Sequence, residues 1–214
     1  MKVFLSTVSL PKVQFGNKDN QADNNFKTKT EKQSLIEFLT QRIAKFRAVG
    51  ENNSYAGAVN SSTYYLNELK QLNIKTVIDL SDDNHQEFKN AELNYFNFAI
   101  PDSSDYDYDA ASDKKEISEK TCKFFEIVNK GNFFICCNSG VVNVGIALYL
   151  NALLNPKFKD KNINIYNIDQ RTAWEFLKIH QCFTDEDKKK LGYTEEFEKR
   201  IKKFSDEKGI TPYL

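Results

Sequence analysis

The amino-acid sequence predicts an α/β fold, a single domain with a short central sheet flanked by helices. Short runs rich in β-branched and aromatic residues at 74–80, 94–100 and 132–136 alternate with longer segments whose apolar side chains recur every three or four residues. Helices packed on a short sheet satisfy that alternation. The 214 residues are 40% hydrophobic, with 17 Phe and 10 Tyr, which is enough for one core and excludes wholesale disorder. Lys+Arg is 30 and Asp+Glu is 30, so no global field draws the chain to nucleic acid or an anionic membrane. No apolar run is long enough to make a membrane span.

Residues 1–10 hold one Lys and an apolar stretch broken by Ser and Thr, then Pro11-Lys12: a short strand-like piece and a poor signal peptide. Residues 16–33 are Asn, Lys and Asp with scarcely an apolar side chain, so 1–33 is expected as a partly mobile N-terminal segment. A helix is expected over 34–46, where Leu35, Ile36, Leu39, Ile43 and Phe46 share a face. The Gly-, Asn- and Ser-rich stretch 50–57 reads as a loop. A second helix over 60–72 turns Tyr64, Leu66, Leu69 and Leu72 inward, and Asn73 ends it.

The strand at 74–80 is bounded by Ser81-Asp82-Asp83-Asn84, and the strand at 94–100 stops at Pro101-Asp102. An acidic, Ser-rich loop spans 102–113, and a helix over 113–129 is capped by Gly131. The apolar strand 132–136 runs through a tight segment, 137–140, into an apolar helix over 141–154. Helices at 168–180 and 184–205 complete the chain. Trp174, Phe176 and Leu177 form a core stripe in the former, and Phe197, Ile201 and Phe204 dock the latter. The main domain is expected over 34–182, with 183–214 as a helix packing on it.

A buried strand that enters a short Gly-bearing loop and then a helix forms an anion cradle. The first helical N–H groups lack partners, and the helix dipole places partial positive charge there. A cysteine at its mouth is favoured as thiolate and becomes a nucleophile at neutral pH. Cys137 sits there, with Gly140 three residues on. The alternative is a buried cysteine in a tight turn.

The stretch Phe133-Phe134-Ile135-Cys136-Cys137-Asn138-Ser139-Gly140-Val141-Val142-Asn143-Val144-Gly145 resembles the phosphate-binding loop of the protein tyrosine and dual-specificity phosphatases. That family's pattern is His-Cys, two residues, Gly, two residues, Arg, then Ser or Thr. Residues 73–80 look like the strand before the first active-site loop, and 97–102 like the strand leading to the general-acid loop, so the resemblance covers about residues 45–180. It implies the cysteine-phosphatase-like fold, with Cys137 as nucleophile and Asp102 as general acid. The loop amides of Asn138, Ser139, Gly140, Val141 and Val142, together with Asn143, would stand at the phosphoryl oxygens. Asp105, Asp107 and Asp109 are rivals to Asp102, and a solvated acidic loop is the bland alternative for all four.

Three positions depart from the pattern: Asn143 stands at the arginine, Val144 at the Ser/Thr and Cys136 at the histidine. Arginine's planar fork grips two phosphate oxygens and stays charged, which a neutral amide cannot do. A pseudophosphatase is therefore expected, one that binds a phosphorylated protein, a phosphoinositide or a protein partner and is no efficient enzyme. The alternatives are an active phosphatase using Cys137 and Asp102, and a scaffold without phosphate binding. An active enzyme needs a compensating cation. Among the four arginines, Arg42, Arg47, Arg171 and Arg200, the candidate is Arg171, against an ordinary solvated residue in a first helical turn.

No metal or other cofactor is expected, because neither the four cysteines nor His85 and His180 show ligand spacing. Reduced thiols and a cytoplasmic location are expected, with export into another cell as an effector left open. Tyr55, Tyr106 and Tyr108 are lesser candidates for loop residues facing a ligand.

Overall fold

The computed structural model describes residues 29–50, 52–59, 65–81, 85, 87–88, 91–100, 106–158 and 163–210. In chain order these form α1 (Lys29–Arg42), β1 (Arg47–Val49), β2 (Ser54–Ala58), α2 (Leu66–Gln71), β3 (Thr76–Asp79), β4 (Asn94–Asn97) and α3 (Ala111–Lys130). They continue with β5 (Phe133–Cys137), α4 (Val142–Leu154), a short 3-10 turn (Ile165–Asn167), α5 (Gln170–Gln181), α6 (Asp185–Leu191) and α7 (Glu195–Glu207). The strands make one five-stranded sheet in the order β1-β2-β5-β3-β4. β1 runs antiparallel to β2, and the other pairs are parallel.

β5 is the central strand, and all five of its residues are buried. Its alternation sends Phe133, Ile135 and Cys137 into one core cluster and Phe134 and Cys136 into the other. The first cluster holds buried residues of α3, α4, α5, α6 and α7; the second holds those of α1 and α2. A strand covered on both faces reads as a continuous apolar run, which is why Phe133-Phe134-Ile135-Cys136-Cys137 is legible as a strand.

Several expectations are corrected. The stretch expected as a loop over 50–57 contains most of β2, whose residues Ser54 to Ala58 are all buried and pair with β5 from Tyr55↔Phe134 to Ala58↔Cys137. Small residues there permit close packing: a Cβ on Gly57 would lie 2.6 Å from Ile43 Cγ2. Tyr55 consequently belongs to the core, stacked on Phe46 at 5.1 Å, and does not face a ligand from a loop. α1 starts at Lys29, inside the segment expected to be mobile, and ends at Arg42, so Phe46 reaches the core from beyond the helix.

The expected helix over 184–205 is two helices. Gly192 caps α6 in the left-handed conformation (φ 83°), and Thr194 starts α7 by accepting the Phe197 N–H. Phe197, Ile201 and Phe204 are buried as expected. The strand-like piece over 1–10, the rest of the mobile segment through 28 and positions 60–64 of the second expected helix lie outside the described residues. Among the described residues no helix is long and apolar enough to cross a membrane.

His180, on α5, is packed against Tyr193 at 5.6 Å, and its Nε2 lies 3.4 Å from Glu198 Oε2. Burial lowers its pKa from the ordinary 6.5 to about 4; Lys188 pushes the same way and Glu198 opposes both. The unfolded chain therefore binds a proton here near pH 6.5 that the folded chain refuses until about pH 4, so stability falls as pH falls through that window. His180→Gln is expected to lose less melting temperature than the native chain between pH 7 and pH 4.5. Equal losses in the two proteins would remove His180 from the acid sensitivity.

Candidate functional site

The parallel strands end together, and the loop after β5 opens at that edge into the first turn of α4, where open α/β sheets hold ligands. Cys137 is the last residue of β5 and is only 3% exposed. Its carbonyl accepts the Val59 N–H at 2.9 Å and the Gly140 N–H at 3.1 Å, closing a tight turn over Asn138 and Ser139. Gly140 has φ +68°, and a Cβ there would stand 2.5 Å from the Ala58 nitrogen. Both facts demand glycine at this point in the loop. α4 is entered without a side-chain cap, so the N–H groups of its first turn have no intrahelical acceptor.

Burial by itself raises the Cys137 thiol. The Val144 N–H, the Ser139 hydroxyl and the Gly140 and Ser139 N–H groups outweigh it, and the pKa lies below its ordinary value. The other three cysteines go the opposite way. Burial, then Asp79 and Cys137, push Cys136 well above the usual range, and burial first of all brings Cys122 and Cys182 to about 11. Cys136 faces the other core cluster, its Sγ 3.6 Å from the Ile78 carbonyl.

The expected loop residues are contiguous but not all free. Gly140 N–H is engaged by the Cys137 carbonyl, and Val141 N–H donates to Ser139 Oγ at 3.3 Å. Asn138 and Ser139 are exposed, and Val141 and Val142 present 46% and 62% of their surface. Asn143 is exposed too, with its Nδ2 donating to the Leu80 carbonyl at 3.2 Å. At this position the side chain ties α4 to the end of β3. Val144 is fully buried. Asp102 and Asp105 lie outside the described residues, and Asp107 and Asp109 are exposed.

Arg171 is exposed in the first turn of α5, whereas Arg47 of β1 donates from Nη1 to the Gly140 carbonyl at 2.9 Å and to the Lys45 carbonyl at 3.0 Å. Arg200 serves the carbonyl of Ala152 at 3.3 Å, and Arg42 lies over the Phe38 ring. Sequence reasoning misses Arg47 because it precedes the loop by some ninety positions, and only the β1-β2-β5 strand order brings it there.

A second polar cluster sits beside the loop. Asp79, with no exposed surface, accepts from Ser81 N–H at 3.0 Å, Ser81 Oγ at 2.7 Å and Tyr95 OH at 2.8 Å, and its Oδ2 is 2.7 Å from His85 Nδ1. It holds the end of β3 whose next residue, Leu80, donates to the Cys136 carbonyl at 2.8 Å and accepts from Asn143. Tyr108 is buried with its OH donating to Glu175, and Tyr106 lies beside Lys120.

No protein-family model and no curated protein matches the chain. Solved structures do. A putative phosphatase from Shewanella putrefaciens CN-32 is 15% identical, with 80% of this chain and 97% of that one covered at a TM-score of 0.41. TpbA of P. aeruginosa in complex with pTyr is 13% identical, with 75% and 96% covered at 0.39. The core catalytic domain of the PP-IP phosphatase SIW14 of S. cerevisiae is 14% identical, with 77% and 92% covered at 0.37. At these scores the likeness is distant.

Proposed function

We propose that this chain is a phosphatase-like protein that holds a phosphorylated ligand at the Cys137 loop and hydrolyses it poorly. The observation that carries the proposal is a buried cysteine at the end of the central strand whose thiol is held below its ordinary pKa by the N–H groups and hydroxyl around it. Groups that stabilise a thiolate also suit a tetrahedral oxyanion. Weak hydrolysis follows from Asn143, a neutral side chain already occupied at Leu80. Without a charged bidentate donor, the developing charge on the transferring phosphoryl group lacks its main partner. Asp102 is the acid we assign to the leaving oxygen.

Two measurements on the full chain test this. Orthovanadate is expected to raise the melting temperature of the native protein, and Arg47→Met to reduce the rise by loosening the Gly140 peptide. Turnover of a small aryl phosphate is expected to stay within a few fold of the Cys137→Ser control. No vanadate shift would remove the anion site and leave a scaffold. Turnover well above the control would make the chain an active enzyme, with Arg47 the first arginine to mutate.

A further inference from the structure

The family pattern places a hydroxyl in the first turn of the helix, where this chain has Val144, fully buried. A hydroxyl is nonetheless present at the sulfur. Ser139 Oγ lies 3.7 Å from Cys137 Sγ. The same Oγ accepts the Val141 N–H at 3.3 Å. That bond occupies the hydroxyl oxygen as an acceptor and leaves its hydrogen free to turn to the sulfur. In the thiol form either atom can donate; once Cys137 is ionised, only the hydroxyl can.

We propose that the Ser139 hydroxyl donates to the Cys137 thiolate and supplies from within the turn the hydrogen bond that Val144 cannot give. The proposal rests on the reading of Cys137 as an anion-cradle thiolate. A charge-assisted hydrogen bond of this kind is roughly twice as strong as a neutral one. It stabilises the thiolate both as the resting nucleophile and as the group that leaves with the bonding pair when a water oxygen bonds to a phosphorus held on the sulfur and the S–P bond breaks. Ser139 is exposed, so its removal creates no cavity.

The test is the rate of iodoacetamide alkylation of Cys137 against pH, with the modified residue located by peptide mass spectrometry, in the native chain, Ser139→Ala and Ser139→Thr. The native chain is expected to label at Cys137 first. Ser139→Ala is expected to slow labelling at neutral pH by about tenfold and move its pH midpoint upward, with the melting temperature nearly unchanged. Ser139→Thr, which keeps the hydroxyl, restores the native profile. An alanine variant with the native midpoint would overturn the proposal and leave Ser139 as a turn residue serving Val141, while the cradle reading stands. A native Cys137 no more reactive than Cys122 would overturn both.

Discussion

Asn143→Arg is expected to raise aryl-phosphate turnover by about 10²–10³-fold, the scale on which a preorganised donor to a developing oxyanion acts. The substitution gives up the bond from Asn143 Nδ2 to the Leu80 carbonyl, a neutral contact of about 0.5–1.5 kcal/mol at most. The guanidinium offers about 3–4 kcal/mol in the transition state, so the balance favours activity. Because Ser139 already presents a hydroxyl to the sulfur, adding Val144→Ser is expected to contribute little rate. It also places a hydroxyl at a fully buried position in the main core cluster, where it lowers stability. Steady-state assays of the single and double variants, each with Cys137→Ser as background, check both statements. An arginine variant no faster than Asn143→Gln would show that the loop is not arranged around a phosphoryl transition state.

Asp79→Ala is expected to cost about 3–5 kcal/mol, the penalty for deleting a fully buried carboxylate from the polar partners gathered on it. Ser81, Tyr95 and His85 lose their common acceptor together. At about 2–4 °C per kcal/mol for a chain of this size, the melting temperature drops by roughly 10 °C. Tyr95 supplies a second readout: its hydroxyl is pushed up to about 12 by burial and then by Asp79, so its ultraviolet titration moves to lower pH in the variant. Because Leu80 follows directly and bonds to both Cys136 and Asn143, the vanadate response weakens as well. A melting temperature within 2 °C of native would show that the cluster contributes little to stability.

The legible elements are those whose local pattern and tertiary environment agree. β3, β5, α3 and α4 can be read from apolar runs, the Gly131 cap and the break at Gly140, because a strand buried on both faces and a long apolar helix leave that signature in any context. β2 leaves none. Its Ser-Tyr-Ala-Gly-Ala composition is that of a turn, and it is a strand because β5 and Ile43 lie against it at a distance only small residues allow. The split between α6 and α7 is written in Gly192 and Thr194, but continuing charge and apolar periodicity mask it.

Legible in the sequence are a cysteine at a strand-to-helix junction, a glycine three residues on, and no arginine, Ser/Thr or histidine at the places a phosphate loop resembling this one would hold them. Those are statements about identity and spacing along one short stretch. Their contacts come from the packing of the whole chain. It set Ser139 Oγ against the sulfur, turned Asn143 to Leu80, brought Arg47 to Gly140 across two strands, and gathered Ser81, His85 and Tyr95 around Asp79. Each of those contacts depends on the direction of a side chain or peptide relative to a partner elsewhere in the chain. Strand order and the closing of the Cys137 turn set that direction, and residue identity alone does not encode it.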